Sequence, residues 1–418
     1  MKIKIIYGVL SVFILSGCAM VGTPDEEGWR SSQKAAFLKI LASDNYFSIC
    51  DQQPLYQKVK ESEDSRLMSR LMVAYTKNLA NGCIDLGAFS RSQKSRQDQN
   101  ISTTYETYLQ EVRAQDILAK VRAGISIEDI LEPYVPPYKV FGDLGQSYTT
   151  LKEHGNVSGK TLSKIRLNIE RIKLMKPDLG EKYVLVNIPE YKVRIIENQQ
   201  TKLSMRVIVG QRRLQTPIFS APLQFIAINP QWRVPDSIAR NEVIPGLLKD
   251  PEYLAKEHLM VRKSYDMDSE EVNASSVDWA TYLEEEKNNP DMTYKFIEAP
   301  SQRNVLGRVK FLFPNTYHVY MHDTQTKKLF ERSVRAFSHG CIRLQKPIDM
   351  LGYLSKNYTN RSEKEIKEIY DSMQTKYIPF SEKLPVHTAY LTAYLDEAGD
   401  LLLFDDVYGF DRSQKLTF

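Results

Sequence analysis

A chain of 418 residues, 42% hydrophobic and 26% charged, has the apolar content for a sizeable core. That excludes global disorder, and the length suggests two or three domains of ~150 residues. The formal charge of +4 falls to +2 without Lys2 and Lys4, too little to imply a nucleic-acid partner, and no basic run with interleaved aromatics occurs. The N-terminal "MKIKIIYGVLSVFILSGCAM" places two lysines before an apolar stretch, Ile5 to Leu15, followed by small residues. This reads as a secretory signal, too short to span a bilayer stably. Export implies an oxidising compartment, where Cys50 and Cys83 invite a disulfide, the alternative being two separate buried thiols. Cys341 is then left as a free thiol, a liability that needs a reason.

From Gly28 to about Gly180 the pattern is helical. "SRLMSRLMVAYTKNLANG" sets Leu67, Met68, Leu71, Met72, Tyr75 and Leu79 at helix spacing and stops at Asn81-Gly82. "YETYLQEVRAQDILAKVRAG" repeats the signature up to Gly124, and the polar "SRSQKSRQDQNIST" between them reads as a loop. "LSKIRLNIERIKLM" is a further amphipathic helix before Pro177. At Tyr183 the period changes to two. "YVLVNIPEYKVRIIENQQTKLSMRVIVG" alternates, with a turn at Asn198-Gln199, and "LQFIAINPQWRVP" and "RVKFLFPNTYHVYMHD" are strand-like. Between Pro235 and Gly307 lies a polar segment too long for a bare loop, read as a helical insertion or lid. Pro347 marks a helix start, Ser362 and Glu365 form a capping box, and Glu397 to Gly399 turn a hairpin. The whole is an α+β chain, helical over 31–180 and mainly β over 181–418, with the insertion at 236–306.

Cys341 sits in "AFSHGCIRLQ". A thiol attacks a carbonyl as thiolate and needs a base in reach. His339 is two residues away, and Gly340 permits a turn that could bring both to one substrate. His322 is the other candidate base. Fifteen residues separate it from Ser338, enough for a turn and a return strand to set it beside Cys341. On a strand, His318, Tyr320 and His322 share one face. Three readings stay open at this point: a Cys-His nucleophile, a metal site of His318, His322, His339 and Cys341, or a buried thiol with incidental histidines. A strand holds an i, i+4 His pair roughly 13 Å apart, which speaks against the metal, as does the lack of CxxC or HExxH.

"LSGC", Leu15 to Cys18, resembles a bacterial lipobox. That implies cleavage after residue 17, lipidation of Cys18 and a tether over 18–30; Ala19, where an Asp would favour inner-membrane retention, leans to the outer membrane of a periplasmic protein. An ordinary signal peptide with an incidental cysteine is the alternative.

"HDTQTKKLFERSVRAFSHGCIRL" resembles the catalytic signature of the L,D-transpeptidases, the YkuD-domain enzymes of bacterial cell-wall synthesis. "VNIPEYKVRI", "NPQWRVPDSIARNEVIP", "LGRVKFLFPN" and "HTAYLTAYLDEAGDLLLFDDVYG" resemble the family's large, scaffold-bearing subgroup, over about Lys164 to Asp411. The resemblance implies an N-terminal helical scaffold domain and a catalytic domain over 181–418, capped by the 236–306 insertion. It implies Cys341 as nucleophile and His322 as base and acid, held by a backbone carbonyl near Asp323. Gly340 and Cys341 amides would form the oxyanion hole, His339 would support the site, and Ser338 and Arg343 would order the loop. Tyr320 would line the substrate pocket; so would Trp232, for which a core tryptophan is the alternative. Arg343 departs from the usual Asn.

The implied reaction is acyl transfer on peptidoglycan tetrapeptide stems without metal or cofactor, giving 3→3 cross-links, with a lipid anchor in the membrane and cell-wall synthesis proteins as partners, and carbapenems as inhibitors. Attachment or release of a wall-bound lipoprotein uses the same motifs, and an inactive peptidoglycan-binding scaffold is the non-enzymatic alternative. Sortases share the His-then-Cys order but lack Ser-His-Gly, and papain-like enzymes reverse it. The subgroup's inserted peptidoglycan-binding domain has no room here, since "PPYKVFGDLGQSYTTLKEHG" leads within ten residues to "SKIRLNIERIK".

Overall fold

The computed structural model describes residues 2–3, 23–155 and 157–418, so the leader's apolar stretch and Cys18 lie outside the described residues. The chain forms two compact units. One comprises Met1–Ser204, Gln211–Ser220 and Pro385–Phe418, the other Met205–Gly210 and Ala221–Leu384.

The first unit opens with α1 (Ser31–Ser43), α2 (Gln53–Ser62) and α3 (Ser65–Asn81). Asp64 caps α3 by accepting from Leu67 N, and Gly82 ends it at φ 70°. The predicted stripe, Met68, Leu71, Met72, Tyr75 and Leu79, is buried against Phe37 and Leu41 of α1 and Val59 of α2. The polar stretch read as a loop is mostly helix, α4 (Leu86–Asp98). Asp85 caps it, and Phe89 alone of its residues is buried. One anchor and a solvated polar face leave no periodic apolar signal to read.

The opposite error falls at 105–113, part of the non-helical residues 102–113. Their backbone groups are engaged elsewhere: Glu106 N donates to Ile218 O, Gln110 N to Asn81 Oδ1, and Ser102 and Tyr105 bridge to Leu214 and Ile218. The helix, α5 (Ala114–Arg122), starts only after them. The helices α6 (Ile127–Leu131), α7 (Lys139–His154) and α8 (Gly159–Lys173) follow.

The helix α8 is more deeply embedded than an amphipathic pattern implies: every residue from Ile165 to Lys173 is buried, including Arg166, Glu170, Arg171 and Lys173. Glu170 pairs with Arg166 and Lys173 and accepts from Cys83 N at 2.7 Å. Cys50 and Cys83 are disulfide-bonded, their Cα atoms 6.2 Å apart.

The strands β1 (Lys182–Asn187), β2 (Lys192–Glu197) and the start of β3 (Gln200–Gly210) also belong here. β1 and β2 pair antiparallel. Asn198 and Gln199 both adopt positive φ, 48° and 62°, the backbone of a tight hairpin turn between β2 and β3.

The second unit contains β4 (Ser220–Ile228) from Ala221 on, β5 (Trp232–Arg233), β6 (Leu259–Arg262), β7 (Lys295–Glu298), β8 (Val309–Leu312), β9 (Met321–His322), β10 (Ala336–Ser338) and β11 (Ile342–Leu344). Its main sheet runs β10-β3-β11-β9-β8-β4. The sequence predicts a helical insertion, but part of it is strand: β6 and β7 join β5 in a separate three-stranded sheet ordered β5-β7-β6. Helices at Ile244–Lys249 and Trp279–Glu285 pack on it through Ile244, Leu247, Trp279 and Tyr282, against Leu259, Val261 and Phe296. The insertion therefore has a core of its own.

After β11 come helices Pro347–Tyr358, opened by its proline, and Glu363–Asp371, whose Ser362–Glu365 capping box is formed. β12 (Lys376–Ala389) leads back into the first unit, where β13 (Ala393–Leu395) and β14 (Leu401–Leu403) make the hairpin read from Glu397 to Gly399. No described helix is long and apolar enough to cross a membrane.

Candidate active site

The run "RVKFLFPNTYHVYMHD" is two strands, not one. Asn315 accepts from the amides of Tyr317 and Val319, and His318 takes φ 56°. This turn removes His318 from the face of Tyr320 and His322, so the three do not share it. His318 is exposed, and its backbone carbonyl accepts the Cys341 Sγ–H at 3.8 Å. Among the described residues, His318, His322, His339 and Cys341 do not bring their ligand atoms within 4.8 Å of one another, so the four-ligand metal site does not form.

Cys341 reaches the neighbourhood of His322 by a different route from the one expected. β11 pairs with β9 in parallel, Met321 opposite Ile342 and His322 opposite Arg343. A parallel pair needs a crossover in place of a return hairpin. The chain supplies one through a short helix at Lys327–Glu331 and through β10, which pairs with β3. Met321 and Ile342 are fully buried on one face, so Tyr320, His322, Cys341 and Arg343 fall on the other. Tyr320 is the direct neighbour of Cys341, with Ile342 N donating to Tyr320 O, and His322 is one diagonal step away. The Tyr320 and His322 rings meet edge-on at 5.5 Å.

The Ser-His-Gly-Cys loop is ordered by Ser338, whose hydroxyl donates to Cys341 O at 2.5 Å and accepts from Gly340 N at 3.2 Å. Gly340 adopts φ 111°, open to glycine and strained for other residues. The amide expected in an oxyanion hole is therefore directed at Ser338. His339 turns away from the thiol: its Nε2 pairs with Glu242 Oε1 at 2.5 Å, and Glu242 belongs to the insertion. Arg343 donates from Nη1 to Thr326 Oγ1, and its Nε is buried without a partner. Trp232 packs, partly buried, against the core of the insertion and pairs with Glu298 across the strands.

Asp323 fixes the backbone beside His322. Its carboxylate accepts from Arg308 N and Thr324 N, and its own N donates to Val309 O. Gly307 presses on it so closely that a Cβ there would lie 2.2 Å from Asp323 Cγ.

His322 Nδ1 is buried and makes no hydrogen bond. Burial pushes the His322 pKa down to about 3; Arg343 and Lys310 add to this, against the backbone at Asp323 and Leu306. The ring is thus neutral at working pH. Burial raises the Cys341 thiol above its ordinary value, opposed by the Tyr320 backbone, Lys310, the Tyr320 phenol and Arg343. The resting pair is neutral thiol and neutral imidazole.

Sequence reasoning missed Lys310. It stands opposite His322 in β8, with its ammonium 3.6 Å from the Tyr320 ring centroid. The signal was present: in "RVKFLF" it is the polar residue of an apolar strand, adjacent to the histidine strand. Burial pulls its pKa down to about 8, with Arg233 adding and Cys341 opposing.

A depressed histidine makes stability fall in acid. The unfolded His322 takes up a proton below pH ~6.5, whereas the folded one does not until about 3. Stability is unaffected by this group above ~6.5 and is lost as pH falls, at about 1.4 kcal/mol per pH unit. Denaturant titrations at decreasing pH should show a shallower loss for His322→Gln than for the wild type; equal slopes would contradict a buried neutral ring.

Residues 181–377 match the L,D-transpeptidase catalytic domain, YkuD. A curated Haemophilus influenzae protein with a provisional L,D-transpeptidase name is 29% identical over 254 residues, 61% of this chain and 49% of that protein. The chain thus spans about half the length of the curated relative it matches. Similar solved structures include an L,D-transpeptidase from Mycobacterium smegmatis, at 12% identity and a TM-score of 0.22 over 50% of this chain and 58% of that one. Another is L,D-transpeptidase 3 from Mycobacterium tuberculosis in complex with a faropenem-derived adduct, at 10% identity and 0.23 over 50% and 60%. By the family match, residues 181–377 are an L,D-transpeptidase catalytic domain.

Proposed function

We propose that the chain is a peptidoglycan L,D-transpeptidase that works through a thioester on Cys341. The observation that carries this is the β9–β11 register, which sets the thiol, Tyr320 and His322 on one face of a domain matched to that family. Cys341 Sγ attacks the carbonyl of the diamino acid at position three of a tetrapeptide stem. Its proton passes to His322, the C–N bond to D-Ala breaks, and the departing amine takes the proton from His322. The side-chain amine of a second stem then attacks the thioester, releasing Cys341 and leaving a 3→3 cross-link. Water in place of the amine gives hydrolysis. Because both groups are neutral at rest, proton transfer accompanies attack rather than preceding it.

The insertion acts as a cap on the substrate, with His339–Glu242 as its contact to the motif loop. The leader and "LSGC" support lipidation at Cys18 and a periplasmic, outer-membrane-anchored enzyme, held near its polymeric substrate by the anchor in place of a glycan-binding domain.

The decisive experiment is incubation with a defined tetrapeptide muropeptide and mass spectrometry of products and protein. A 3→3 dimer, released D-Ala and an acyl adduct on the Cys341 peptide are expected. An adduct without dimer would point to another acceptor, such as a lipoprotein. Neither adduct nor product would refute acyl transfer and leave a binding scaffold.

A further inference from the structure

Three strands place one side chain each in a row across the face that carries the thiol: Lys310 of β8, His322 of β9 and Arg343 of β11. Two of the three are cations. Among the described residues, the Lys310 ammonium forms no hydrogen bond or ion pair; its close neighbour is the face of Tyr320, at 3.6 Å from the centroid. A half-buried lysine without a carboxylate is costly to hold and calls for an anion that forms during function. The cross-strand neighbour of Tyr320 is Cys341, and the Tyr320 backbone and phenol oppose the upward push of burial on the thiol. The charged groups facing the thiol are Lys310 and Arg343, with Tyr320 and His322 as the titratable neutral ones; Arg233 faces Lys310.

We propose that Lys310 is a positioning residue for Cys341: its ammonium grips the Tyr320 ring, aims the phenol at Sγ and supplies the positive field that stabilises the thiolate. A cation on the ring face draws electron density from the π system, which makes the phenol O–H a better donor to sulfur. Arg343 is committed to Thr326 through Nη1 and acts from the other side. The anion that the lysine awaits is thus the thiolate itself, formed transiently as Cys341 attacks and again as the thioester breaks down. This rests on Cys341 being the nucleophile of the proposed function.

The test is the pH profile of Cys341 alkylation by iodoacetamide in the full chain, followed by mass spectrometry of the Cys341 peptide so that Cys18 does not contribute. Lys310→Met should move the midpoint up by about one unit and slow alkylation ~10-fold below it. Lys310→Arg should restore most of the rate. Tyr320→Phe, which keeps the ring and loses only the hydroxyl, should also shift the midpoint upward, so the inference stays testable if Lys310→Met does not fold. Superimposable profiles for wild type and folded Lys310→Met, or for wild type and Tyr320→Phe, would overturn the proposal. Failure of the wild-type thiol to alkylate at any pH would instead refute the nucleophile reading, and this inference with it.

Discussion

Cys341→Ala and His322→Gln should each lower dimer formation from a tetrapeptide muropeptide ~10³-fold or more, while His339→Gln lowers it ~10-fold or less. On the proposed mechanism the first two remove the attacking atom and the group that receives its proton, and parts that act as a unit fail together, so the double variant should be little worse than either single one. His339 is nearer in sequence, but the structure gives its ring to Glu242 in the insertion. Its loss should act through the cap and appear mainly in KM, with Glu242→Gln doing the same. Acylation followed by mass spectrometry separates the steps: His322→Gln should acylate slowly, Cys341→Ala not at all. If His339→Gln fell as far as His322→Gln, with kcat affected, the roles of the two histidines would have to be exchanged.

How much of this was legible in sequence varies with the range of the interaction that decides each feature. Helix α3 was readable because its apolar stripe and its Asn81-Gly82 stop are both local. The Ser362 capping box and the Asn198-Gln199 turn are local too. Helix α4 was not, because one buried phenylalanine leaves no period. The stretch 105–113 carried a helical pattern and lost it to partners far along the chain, such as Ile218. The insertion hid its small sheet because each strand is four residues or fewer.

At the site, the motif located Ser338, His339, Gly340 and Cys341, spacing offered His322 as a second candidate base, and the resemblance preferred it to His339. The register that puts Tyr320 rather than His322 opposite the thiol depends on a parallel crossover, which spacing alone does not reveal. Lys310 depends on the same register one strand further on. Trp232 was offered by the resemblance, with a core tryptophan as the alternative; it packs against the core of the insertion.

Glu170→Ala should destabilise the first unit by ~3–5 kcal/mol. Arg166 and Lys173 flank Glu170 on α8, and the Glu170 and Lys173 side chains are wholly inaccessible to solvent. Lys173 also donates to Phe47 O at 2.9 Å and Arg166 to the same carbonyl at 2.8 Å, so the two cations are held close to each other. Without Glu170, Asp44 is the remaining anion that acts on both, and Cys83 N–H loses its acceptor.

The pH dependence identifies the cause. Burial already depresses Lys173 well below its ordinary value, and loss of Glu170 depresses it further. The unfolded lysine keeps its proton up to ~10.4, so the deficit deepens only once pH falls below the wild-type Lys173 pKa, where the wild-type lysine is charged in the fold and the variant's is not. Urea unfolding of Glu170→Ala with the disulfide intact, at pH 6 and pH 9, measures both terms. Glu111→Ala removes half of an exposed pair with Arg113 and should cost under about 1 kcal/mol at either pH. A Glu170→Ala deficit as small as that control would mean that water or Asp44 already satisfies the two cations and that the carboxylate is not what holds α8 against the disulfide.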